Sequence, residues 1–228
     1  MVLVSKNQMY LILFFSNALM AYMWFRVLWI LLTTFVLSPT SSSVATTRTI
    51  CETKIHSHVI HALWISFMEI VQILFGWTSS KIHQVFLFAM VRFLVESYFS
   101  ILVSCTCWQH LATITCWSVG EVIRFTCFTF DSFFTLQSHN NPKKKTSPLT
   151  IFKTIRYQVS CVLFPIGATC ELLLVLHIAM TTSRIEYYVL SCLWPMGFLP
   201  LMRRLLKQRA NHTVLVSKGN EKNKNVFV

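Results

Sequence analysis

Only eight carboxylates occur in this chain of 228 residues, so each acid set among apolar neighbours stands out. An ionisable side chain inside an apolar run costs at least a few kcal/mol and points to function by default. The groups so placed are Arg26, Glu69, Arg92, Glu96, Glu121, Arg124, Asp131 and Glu171. Glu121 and Arg124 are spaced i,i+3, and Arg92 and Glu96 i,i+4, so each pair can neutralise itself on one helix face. Arg26 and Asp131 can snorkel toward an interface. Glu171 differs, because no Lys or Arg stands within two turns of it on its own run. A carboxyl without a local counter-ion suits an acid or base that exchanges a proton with a substrate. Tyr157, Phe164 and Glu171 recur every seven residues and form one stripe of a helix. Counted from Tyr157, Phe164 lies about 10 Å and Glu171 about 20 Å along the axis. Gly167, one turn before Glu171, lets a second backbone or a substrate come close. Pro165 frees a carbonyl, which is tolerated only where protein or a cavity satisfies it. These residues predict a pocket that opens near Tyr157 and has Glu171 on its floor.

The elements that must hold this stripe are apolar. The chain is 54% hydrophobic and 12% charged, with mean hydropathy +0.57, whereas a soluble domain carries about 25% charged residues. Six runs are long and apolar enough to be spans, at about 9–37, 59–78, 82–104, 109–135, 158–180 and 186–202. They are continuously apolar rather than alternating, which disfavours a β-barrel. No small-residue cleavage site follows a short apolar core, so the first run reads as a signal-anchor. The last holds Pro195, Gly197 and Pro200 and is expected to be kinked or irregular. The fold class expected is therefore all-α: a polytopic six-helix membrane bundle forming a single integral domain over 1–228, with a tail at 203–228.

Charge sets the orientation. Of the twenty Lys and Arg, fourteen fall at the N-terminus, in the second and fourth connections and in the tail, against three on the opposite side. Positive residues stay cytosolic, so both termini are predicted there. The net charge of +12 is thus a topology signal, and no nucleic-acid partner is expected. Lys143, Lys144 and Lys145 sit in a cytosolic connection with Asn, Pro and Ser, where they can meet anionic lipid headgroups. The Asn211-His212-Thr213 sequon lies on the cytosolic tail and is expected to stay unmodified.

Seven of eight cysteines lie in or beside the apolar runs, as small hydrophobes do, so no disulfide framework is expected. Cys105, Cys107 and His110 bring thiolates and imidazole close in sequence. Their spacing matches no established metal pattern and lacks a nearby fourth ligand, so no metal or other cofactor is expected. No cysteine precedes an arginine by six positions, which excludes a Cys-x5-Arg phosphate loop.

The segment Arg156-Tyr157…Leu163-Phe164-Pro165-x-Gly167-x-Thr169-x-Glu171 resembles the RYxxxxLYPxGxxxE signature of the very-long-chain 3-hydroxyacyl-CoA dehydratases, the protein-tyrosine-phosphatase-like membrane proteins. Trp117-Ser118-Val119-Gly120-Glu121-Val122-Ile123-Arg124-Phe125 is similar to the family's W-x-x-x-E-I-I-R-Y. Met68-Glu69-Ile70-Val71-Gln72 resembles L-E-I-x-H, with Gln72 in the His position. Tyr10-Leu11 and Asn17…Trp24 echo the first span, so the likeness runs over most of the chain.

The resemblance implies a six-span endoplasmic reticulum protein that removes water from a long-chain 3-hydroxyacyl-CoA, giving a trans-2-enoyl-CoA in the third step of fatty-acid elongation. Its expected surroundings are the lipid bilayer and the other elongase-cycle enzymes. A Tyr and a Glu provide the acid–base pair in the family. Glu171 keeps the Glu, while Phe164 occupies the Tyr position and has no hydroxyl. Three readings stay open. In one, the protein dehydrates with Glu171 and a substitute such as Tyr157. In another, it is an inactive relative that binds acyl-CoA or an elongase complex. In the third, Glu171 is only a structural polar residue in a chain of unrelated function. Glu121, Arg124, Gly167 and Glu69 are the supporting residues, and Arg156 with Lys143–Lys145 are candidates for the CoA phosphates.

Overall fold

The computed structural model describes residues 5–35, 54–78, 82–99, 102, 107–140 and 147–224. Among them there is no strand, so the all-α expectation holds. The helices are α1 (Lys6–Phe35), α2 (His56–Ser66), α3 (Met68–Leu74), α4 (Ile82–Leu94), α5 (Trp108–Asn140), α6 (Ser147–Thr182) and α7 (Ile185–Lys224). A π-helical turn, Val95–Phe99, extends α4.

Among the described residues, four stretches are long and apolar enough to cross a membrane: Lys6–Phe35, His56–Leu74, Thr154–Thr182 and Ile185–Ala210. The α4 and α5 helices, expected as the third and fourth spans, fall outside that set. The α4 helix has only 13 residues, too few to span alone, and α5, though 33 residues long, is diluted by Ser, Thr and ionisable residues. The α1 helix shows what solvent the apolar helices are built for. Its buried stripe is Leu13, Asn17, Met20, Trp24, Val27 and Leu31. Its opposite face, with Phe15, Tyr22 and Trp29, is apolar too, yet more than half exposed. A helix greasy on both faces fits lipid rather than water.

Two expectations about local geometry change. The second apolar run is not one helix: it pauses at Phe67 and resumes as α3. Gly76 then closes α3 in the left-handed region, at φ +70°, a conformation glycine adopts without steric cost. Conversely, α7 runs unbroken through Pro195 and Pro200 and continues beyond the apolar stretch to Lys224. A lost helix donor is tolerated where lipid-embedded neighbours allow local adjustment.

The α5 helix is the hub, with α1 packed along one side, α6 along another, and α7 against α6. The apolar core is gathered toward one end of the bundle. Trp24, Val27 and Leu31 meet Val59 and Leu63 of α2, Ile114 and Trp117 of α5, and Leu174 and Ile178 of α6 there. Toward the other end, α1, α3 and α5 diverge around polar side chains.

Candidate functional site

One face of α5 organises the site. Trp117, Glu121, Arg124, Phe128, Asp131 and Thr135 succeed one another at intervals of three or four, which aligns them along a single stripe. The α6 helix brings Glu171 to the first of these. Trp117, itself buried, donates its indole Nε1–H to Glu171 Oε1 at 2.6 Å. Gly167 faces α5 beside this contact: a Cβ there would stand 3.4 Å from Cys116 Cβ. The nearest cation the structure brings toward this pair comes from α4 and is itself paired with Glu121. Arg92 Cζ lies 5.6 Å from the centre of the Trp117 ring, close enough to act on Glu171 electrostatically.

Phe164, one heptad before Glu171, stands among aromatic rings. It stacks on Phe198 of α7 at 5.2 Å and meets Phe88 of α4 edge-on at 5.8 Å. Tyr157 lies two heptads from Glu171, about 21 Å along the same continuous helix. There the Arg156 guanidinium covers both the Tyr157 ring, at 4.8 Å, and the Phe128 ring of α5, at 5.0 Å. Thr169 turns its hydroxyl back onto the Pro165 carbonyl at 2.8 Å. Tyr187 meets Tyr98, hydroxyl to hydroxyl, at 3.4 Å.

The supporting charges form a network wider than spacing suggested. Glu121 and Arg124 pair as expected, with Arg124 Nη2 to Glu121 Oε2 at 2.7 Å. Arg124 also reaches across to Glu69 of α3 at 2.8 Å. Arg92 turns to the other oxygen of Glu121. The expected Arg92–Glu96 pair is therefore replaced, since each partner finds a better-placed group on another helix. Glu96, fully buried, takes His56 Nδ1 on one oxygen at 2.9 Å and His110 Nε2 on the other at 3.0 Å. His110 thus serves a carboxylate, while Cys105 lies outside the described residues. Asp131, half-buried on the α5 stripe, lines an interhelical cavity.

That cavity, of about 240 Å³, lies between α1, α3 and α5 and is bordered by Glu69 and Phe128 at the level of the network. Sequence reading missed it. Its amides and hydroxyls come from four separate segments, each unremarkable alone. The expected phosphate contacts at Lys143, Lys144 and Lys145 fall outside the described residues.

Comparison with known proteins gives one match: residues 64–214 fit the family model described as Protein tyrosine phosphatase-like protein, PTPLA. The matched range runs from α2 into α7 and includes Glu69, Trp117, Glu121, Arg124, Phe164 and Glu171. No curated protein and no solved structure matches the chain.

Proposed function

The chain belongs to the protein tyrosine phosphatase-like family, PTPLA, the family of very-long-chain 3-hydroxyacyl-CoA dehydratases, and from that premise we propose a dehydratase-like function on long-chain 3-hydroxyacyl-CoA. In this reading one integral membrane domain crosses the endoplasmic reticulum membrane six times, with both termini in the cytosol. It works beside the other elongase-cycle enzymes. Dehydration takes a proton from C2, protonates the hydroxyl on C3 and expels water as the C2–C3 double bond forms. Glu171 is the retained acid–base group, held by the Trp117 indole. That hydrogen bond carries the reading, since it fixes one carboxylate oxygen and leaves the second for substrate.

Phe164 sets the rate. Its ring cannot move a proton, and a missing positioned acid–base group costs typically 10²–10⁴-fold. Tyr157 is too far along α6 to replace it beside Glu171, so the chain runs the reaction with one carboxyl and water. The packing of Phe164 between Phe88 and Phe198 favours a second reading, an acyl-CoA-binding relative that does not turn over. Arg156 and the Lys143–Lys145 triplet meet the CoA phosphates in both.

Turnover separates the two. Purified protein assayed for 3-hydroxyhexadecanoyl-CoA dehydration is expected to show a slow rate that disappears in Glu171→Gln and rises at least a hundredfold in Phe164→Tyr. A silent wild type rescued by Phe164→Tyr establishes the non-turnover reading. Silence in all three variants, with no binding of the thioester, overturns both.

A further inference from the structure

The cavity between α1, α3 and α5 holds polar groups that the protein leaves unsatisfied. Asn17 is 3% exposed and lines it, and among the described residues nothing hydrogen-bonds to its amide. Thr78 Oγ1, also in the lining, is buried without a partner. Gln72, 2% exposed, has its amide nitrogen engaged by Ser16 Oγ at 2.7 Å, and its carbonyl oxygen remains to accept. Leaving buried amides and hydroxyls unpaired costs roughly 1–3 kcal/mol each. Such groups are kept where water or a ligand meets them. A space of about 240 Å³ exceeds the ~30 Å³ share of one water several times.

We propose that this cavity is a binding site for the pantetheine arm of an acyl thioester, a neutral chain of two amides and a hydroxyl, with Asn17, Gln72 and Thr78 as its hydrogen-bonding partners. The site rests on the acyl-CoA reading above and adds to it the place where the arm is held. The lining selects the arm over the diphosphate: among the described residues it holds amides and hydroxyls but no Lys, Arg or His to meet a phosphate. An amide offers an N–H to a lining oxygen and a carbonyl acceptor to Asn17. Its position fits as well. Phe128, Asp131, Ser132 and Thr135 border the cavity on the α5 stripe whose other end is Trp117, the donor to Glu171. From Phe128 to Trp117 the stripe runs about 16 Å, so an arm entering past Tyr10 and Thr135 points its sulfur end toward Glu171. Tyr10, Leu13 and Asn17 form the matching wall on α1 at i, i+3 and i+7.

The test compares three probes on the full-length protein in detergent: hexadecanoyl-CoA, hexadecanoyl-pantetheine and hexadecanoate. Asn17→Leu keeps the volume and removes the amide. It is expected to weaken both thioesters by the same factor, about tenfold, and to leave hexadecanoate unchanged. Equal affinity of wild type and Asn17→Leu for hexadecanoyl-pantetheine overturns the site while leaving the acyl-CoA reading intact. Failure of hexadecanoyl-CoA to bind wild type overturns both. A second measurement does not depend on the core variant folding. Alkylation of Thr135→Cys by a maleimide, read at that residue by peptide mass, should slow at least fivefold with hexadecanoyl-pantetheine. An unchanged rate under saturating thioester overturns the site.

Discussion

At the scale of single residues, the chemistry concentrates on three side chains from two helices: Glu171, the Trp117 indole that donates to it, and Phe164 one heptad away. The Trp117 bond does two jobs, orienting a carboxylate oxygen and filling one of its acceptor positions. Trp117→Phe keeps an aromatic ring under Arg92 but removes the donor. In a Phe164→Tyr background, where turnover is measurable, this change should lower kcat about tenfold and leave KM unchanged. A lost hydrogen bond to an ionised group is worth 1.5–3 kcal/mol, and each 1.36 kcal/mol is a factor of ten in rate. A rise in KM with constant kcat would instead assign Trp117 to substrate binding.

Among the elements, α5 and α6 bring Trp117 and Glu171 together, and Gly167 faces Cys116 of α5 one turn before Glu171. A Cβ there meets Cys116 Cβ at ordinary contact distance, 3.4 Å, so Gly167→Ala fits with little movement. Nothing longer does. Gly167→Leu forces the helices apart, at a cost typical of overpacking, about 1–3 kcal/mol, and breaks the geometry of the Trp117–Glu171 bond. Thermal denaturation in detergent should place Gly167→Ala within a degree or two of wild type and Gly167→Leu several degrees lower. The opposite order would mean that α6 is not held against α5 at this position. The charge network binds the same elements from the other side. Arg124 ties α5 to α3 through Glu69, and Arg92 ties α4 to α5 through Glu121.

For the whole molecule, the strongest inference from sequence is orientation. Fourteen basic residues against three are the ground for the proposal that both termini are cytosolic, by the positive-inside rule. Six crossings require α4 with its π turn, and α5, to span as well, although four stretches among the described residues qualify by length and apolar character. The ionisable residues on α4, its π turn and α5 face inward, into the Glu69–Arg124–Glu121–Arg92 network and the Glu96–histidine cluster. Polar faces satisfied inside a bundle do not bar a helix from the membrane. An acceptor sequon inserted between residues 38 and 50 should be glycosylated in microsomes, and one appended after residue 228 should not. A glycosylated C-terminal tag would leave an odd number of crossings.

The sequence by itself determined the helical class, the apolar runs, the family resemblance and the solitary acid on α6, because these are properties of composition, period and spacing along one chain. It also determined the Glu121–Arg124 pair, since three residues on one helix leave little freedom. It misassigned Arg92 and Glu96, which are equally well spaced but choose partners 29 and 14 residues away. Spacing on a helix shows that two groups can meet; whether they do depends on which charges the neighbouring helices present. The bond from Trp117 to Glu171 spans 54 residues, and the cavity joins side chains from α1, α3, the segment after it and α5. Only tertiary structure decided these, because burial makes each polar group seek a partner from whatever helix packs against it, and no local rule of the chain records which helix that is.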